Sequence, residues 1–222
     1  MLPYPQREFA EAVAAVLQSP PFVRIAEAAE ELVDVPCGSG ATTWLLARAL
    51  PHAQVLGVDR DEGLIAGAKR TFRLPRLRYE VADIQQFVEG RQRVGICCLI
   101  NSLFLLHEAE GLLRALASKM GSGGLLLCIL PNVEGSNYAE FQRLRPEVNL
   151  FELKKADFAD YFARCGWAVA LTQGIVFQRF YGLWWPRWLG PLRAAALRWL
   201  HLRKSHTAEA EPCYYLLAMR AM

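Results

Sequence analysis

What the 222-residue chain lacks excludes several kinds of protein. No apolar run approaches the ~20 residues that a membrane-spanning helix needs, so an integral helical membrane protein is excluded. The opening stretch MLPYPQREFAEAV has neither the basic flank nor the apolar centre of a secretory signal, and a cytoplasmic protein is expected. Among the six cysteines there is no CxxC and no Cys/His spacing suited to a metal. Cys97, Cys98 and Cys128 fall inside apolar runs, where a thiol serves as a small hydrophobe. There is no lysine-rich tail and no acidic block, and the net charge is only +3, so the chain as a whole is not built to hold a polyanion. No repeat or low-complexity linker interrupts it, and one domain over 1–222 is expected.

What is present is an apolar fraction of 53%, arranged in a regular alternation. Strand-length apolar runs at 31–35, 53–59, 77–83, 94–101 and 123–131 are separated by stretches such as ATTWLLARAL and EGLLRALASKM, with apolar residues at helical intervals. That order predicts βαβ units: an α/β, doubly wound, Rossmann-like and mostly parallel sheet. A helix in ADFADYFARCGW and strands at 168–180 and 211–222 bring the sheet to seven strands. Residues 1–30 carry two helical patterns around Pro20 and Pro21, placed to cap the carboxyl edge of the sheet, where such folds bind ligands. Residues 31–131 form the core, and 179–210 read as an insertion carrying its own helix between the last two strands.

Strand one ends at Asp34 and turns through PCGSG into a helix near Ala41. Gly38 and Gly40 have no Cβ and adopt positive φ without penalty, so a ligand can approach the backbone there. The pair alone is a weak signal: Gly-x-Gly-x-x-Gly fails at Thr43, and no lysine completes a phosphate loop. Asp59 ends the second strand nineteen residues past Gly40, where a carboxylate can accept from both ribose hydroxyls. Asp83, after the third strand, is placed to accept from an exocyclic adenine amine. Each aspartate could separately be a turn or helix cap. Three at successive strand ends favour a nucleoside cradle.

These residues resemble the class I S-adenosyl-L-methionine-dependent methyltransferase family, most closely from Leu32 to Pro131. The resemblance implies a seven-stranded sheet whose last strand is antiparallel. It also implies that Gly38 and Gly40 approach the methionine part of the cofactor, with Asp34 helping to hold its amino group. Asp59 would take the ribose, Arg60 would flank the adenine, and Asp83 with the Ile84 backbone would recognise the adenine edge. Pro36 departs from the family's glycine, fixing φ and removing an N–H. The Pro36-Cys37 pair also resembles the attacking thiol of cytosine-C5 methyltransferases, but that family places its Pro-Cys after strand four, where this chain has LINSLF. Cys37 is therefore expected to be structural.

After strand four, INSLFLLHEAEGLL lacks the [Asn/Asp]-Pro-Pro-aromatic signature of nucleobase amino methylation, so a nucleic-acid substrate is not expected. NSLFLLHE resembles the corresponding stretch of small-molecule methyltransferases, which implies Asn101 and Ser102 near the transferred methyl. His107 is either a general base or the start of the next helix beside Glu108. Gly95 stands where many relatives carry an aspartate, which would loosen the outer edge of the site. Four of the six tryptophans lie in 175–206 together with arginines and a lysine. Stretch 184–204 reads either as an amphipathic helix packed on the sheet or as a contact for an acidic carrier protein or a membrane surface. The expected function is methyl transfer to a small, lipophilic or carrier-bound acceptor, most simply at oxygen. A methyltransferase-like binding module and an RNA or protein methyltransferase are the alternatives.

Overall fold

The computed structural model of the chain describes residues 6–91, 94–106, 108–135, 138, 142, 152–175 and 212–222. Its apolar runs become strands β1 (Glu31–Asp34), β2 (Gln54–Asp59), β3 (Leu77–Val81), β4 (Ile96–Ile100), β5 (Leu125–Pro131), β6 (Trp167–Ile175) and β7 (Tyr214–Ala221). Helices α1 (Gln6–Leu17), α2 (Val23–Ala28), α3 (Ala41–Ala49), α4 (Glu62–Thr71), α5 (Ile84–Gly90), α6 (Ala109–Met120) and α7 (Phe158–Arg164) surround them. The strands form one seven-stranded sheet in the order β3-β2-β1-β4-β5-β7-β6. β1 to β5 pair in parallel, and β7 lies antiparallel between β5 and β6, as expected.

Every residue of β4 and β5 is buried, because helices cover both faces of the sheet. Side chains alternate between two cores. Leu32, Cys98 and Leu127 pack on one face with Phe9, Val13 and Leu46, while Val33, Cys97 and Leu126 pack on the other with Leu112, Leu116 and Phe162. Trp167, fully buried, donates its indole N–H to the Leu113 carbonyl at 2.9 Å, so its polar atom is satisfied inside the core. All six cysteines are free and buried, among them Cys97, Cys98 and Cys128 as their apolar runs predict.

β3 ends earlier than the hydropathy suggests, because a polar residue inside the run takes backbone donors. Asp83 caps α5 and so stops β3 at Val81. The Phe158 helix is a single short element, closed by Gly166 at φ +88°. The N-terminal helices also differ in placement. α1 lies along one face beside α3, with Gln18 Nε2 donating to the Ala49 carbonyl, and only its first turn reaches the carboxyl edge, where Phe9 meets Tyr214 edge-on at 4.9 Å. The basic, tryptophan-rich insertion lies outside the described residues. Among the described residues no helix is long and apolar enough to cross a membrane, and no side-chain group is placed to hold a metal ion.

Candidate cofactor and acceptor site

The strand order reverses between β1 and β4, and at such a switch point two connections leave in opposite directions and open a crevice at the carboxyl edge. The turn after β1 lines it. Val35 N–H donates to the Cys98 carbonyl at 3.0 Å, Cys37 N–H to the Val58 carbonyl at 2.8 Å, and Gly38 N–H to Asp59 Oδ2 at 2.7 Å. Gly38 and Gly40 both adopt left-handed φ, +55° and +76°. Their surroundings differ. A Cβ on Gly38 would meet nothing within 4 Å, whereas one on Gly40 would lie 2.6 Å from Tyr79 Cε1 and 2.7 Å from Ala68 Cβ. Gly38 leaves room for a ligand, and Gly40 leaves room for Tyr79.

Asp34 and Asp59 end β1 and β2, Asp83 follows β3 by two residues, and each already has protein partners. Asp34 is 1% exposed and accepts from Thr43 Oγ1 at 2.6 Å. Burial raises its carboxyl to about 7; the Thr43 hydrogen bond opposes that shift and the Asp59 charge adds to it. Asp59 accepts from Gly38 N–H and, through Oδ1, from Asp61 N–H at 3.0 Å, so it braces the turn whether or not a ribose is present. Asp83 caps α5 through Oδ1, which accepts from Gln85 and Gln86 N–H. Arg60 is exposed beside Asp59, and Ile84 is half-buried at the start of α5.

At the end of β4, Asn101 adopts φ +52° and donates its N–H to the Ile129 carbonyl at 3.0 Å. Among the described residues, Asn101 Oδ1 and Ser102 Oγ are buried without a hydrogen-bond partner. Such atoms are costly unless a ligand or water satisfies them. His107 lies outside the described residues. Cys37 is buried beneath the turn, and burial pushes its thiol well above the usual range.

Gly95 is not part of this edge. It directly precedes β4 at the amino edge, lining a cleft of about 720 Å³ with Arg24, Glu31, Arg78 and Arg91, so the missing acid lies away from the carboxyl-edge turn. Sequence reasoning also missed four residues. Leu64, Val81 and Leu105, which follow or end β2, β3 and β4 on the carboxyl side, are large apolar residues each just over 40% exposed. The fourth is Tyr79, whose hydroxyl donates to the Gly40 carbonyl at 2.9 Å. The exposed leucines and valine read in sequence as ordinary helix and strand residues, and only their placement distinguishes them.

Residues 32–124 match the family model described as a methyltransferase domain. A trans-aconitate 2-methyltransferase of Variovorax paradoxus is 34% identical over 104 residues, 47% of this chain and 39% of that protein. One from Deinococcus radiodurans is 30% identical over 156 residues, 69% of this chain and 57% of that protein. The chain thus spans about half the length of these curated relatives. Among solved structures, a magnesium protoporphyrin IX methyltransferase from Synechocystis with bound SAH superposes with a TM-score of 0.64 at 15% identity, covering 97% of this chain and 83% of that one. The strand order and these matches give the chain the fold of the class I methyltransferases, and residues 32–124 are similar to a methyltransferase domain. The residues present fit S-adenosylmethionine: Gly38 is open on the ligand side, and Asp59 offers a carboxylate at the strand end.

Proposed function

We propose that the protein transfers the methyl group of S-adenosylmethionine to a small organic acceptor, at oxygen. The observation that carries this reading is the pair of buried, unpartnered atoms Asn101 Oδ1 and Ser102 Oγ at the strand end next to the cofactor turn. The cofactor supplies an already activated methyl group with a neutral leaving group, so the protein's task is mainly to align the acceptor. In this reading Gly38, Asp59, Arg60, Asp83 and Ile84 hold the cofactor, and Asn101 and Ser102 orient the acceptor. Where the acceptor is a hydroxyl, His107 takes its proton; a carboxylate oxygen has none to give. Asp34 acts through the turn. The relatives named for trans-aconitate, a small carboxylic acid, support a small acceptor and a carboxylate oxygen.

Within the same proposal, the acceptor is lipophilic or carrier-bound, and stretch 184–204 contacts an acidic carrier or membrane headgroups. The support is sequence alone: Trp184, Trp185 and Trp188 supply apolar area, and Arg193, Arg198 and Lys204 supply charge. Incubation with labelled cofactor and a panel of carboxylates, phenols and RNA tests the proposal. Label is expected in a small carboxylate or phenol and is expected to fall by about 10²-fold or more in Asn101→Ala with Ser102→Ala. Label appearing only in RNA, or in nothing while the cofactor still binds, overturns it.

A further inference from the structure

β3 contributes to the cofactor turn from a strand that carries none of the motif glycines. Tyr79 lies opposite Gly57 in the β2–β3 register and is 7% exposed. Its ring occupies the volume that a side chain on Gly57 would fill: a Cβ there would sit 2.7 Å from Tyr79 Cδ1 and 3.1 Å from Cys37 Sγ. The same ring closes the side-chain direction of Gly40, and its hydroxyl donates to the Gly40 carbonyl, which also accepts Trp44 N–H as α3 begins. Burial raises the phenol far above its ordinary range, so the hydroxyl stays a neutral donor. The turn is thereby fixed from one side at three points: Cys37 N–H on Val58, Gly38 N–H on Asp59, and the Gly40 carbonyl under Tyr79.

We propose that Tyr79 is a positioning residue for the cofactor: by pinning Gly40 through its hydroxyl and ring, it holds the open, left-handed Gly38 in its binding shape before any ligand arrives. The inference rests on the Gly38–Asp59 edge being the cofactor site. A turn already ordered loses less conformational entropy on binding, so affinity depends on a hydroxyl that lies behind the turn.

The test is calorimetry of S-adenosylmethionine and S-adenosylhomocysteine binding to Tyr79→Phe, beside Leu116→Ala as a destabilised control far from the turn. Tyr79→Phe is expected to weaken both ligands about threefold to tenfold. Leu116→Ala is expected to leave both within about twofold, since it removes core packing and no turn contact. Amide exchange at Gly38 is expected to accelerate in Tyr79→Phe while amides of β5 stay protected. A folded Tyr79→Phe with wild-type affinity and unchanged Gly38 exchange overturns the proposal. If that variant does not fold, exchange in the ligand-free wild type decides: Gly38 protection comparable with β2 supports the pinned turn, and loop-like exchange overturns it. Wild-type protein that binds neither ligand would overturn the cofactor assignment, and the exchange result would still judge the pinning.

Discussion

At the residue scale, two glycines of one motif do different work. Gly38→Ala is expected to fold, at about 1–2 kcal/mol for a left-handed alanine, and to lose cofactor affinity because its methyl enters the open side of the turn. Gly40→Ala drives a methyl into Tyr79 and Ala68 and is expected to lower the unfolding midpoint more steeply. Thermal denaturation and calorimetry on both variants check this pair. Asp59→Ala should weaken cofactor binding by about 1.5–3 kcal/mol and also lower stability, because Gly38 and Asp61 N–H lose their acceptor. An equal affinity in the folded variant would remove the ribose assignment. Asp34 gives a pH signature. Its carboxyl titrates near 7 in the native state and near 3.8 when unfolded, so between those values the native state binds more protons. Its contribution to stability is complete below about pH 4 and is lost as pH rises through 7, amounting to a few kcal/mol, on the order of 4. Denaturant titrations of wild type and Asp34→Asn should diverge across that window, with the asparagine variant showing the flatter profile.

At the element scale, the helices and strands were legible because their patterns differ: short continuous apolar runs in strands such as β4 and β5 against three-to-four spacing in α3 and α6. Element ends were less legible, since Asp83 could be read both as an adenine contact and as a helix cap, and the structure shows it capping α5. The connection from β4 to α6 carries the corresponding ambiguity at His107. If His107 is the base, His107→Ala should lower the maximal rate about 10²–10⁴-fold with cofactor binding intact. If it serves only the start of the helix, stability should fall by about 1 kcal/mol and the rate should hold. Steady-state kinetics and denaturation of one variant separate the two. For stretch 184–204, replacing Trp184, Trp185 and Trp188 with alanine should raise the Michaelis constant for a lipophilic acceptor without changing cofactor affinity. Unaltered acceptor kinetics would remove the main support for that acceptor class.

At the scale of the whole molecule, the sequence by itself determined the layered α/β class, the parallel order of the early strands and the edge that carries the Gly38–Gly40 turn. Those features follow from hydropathy period, glycine and aspartate at strand ends, and the one-handed crossover of βαβ units, all of which are local or nearly so. Tertiary structure alone decided that α1 lies on a face and not over the edge, because the apolar stripe of Phe9, Val13 and Leu17 needs the surface beside α3. It alone placed Gly95 at the opposite edge from the site, as strand direction is a property of the assembled sheet. It also decided that Gly40 and Gly57 make room for Tyr79, a residue thirty-nine positions from one and twenty-two from the other. No spacing rule reaches that contact, because a packed ring and the hollow that receives it are brought together only when β2 and β3 pair.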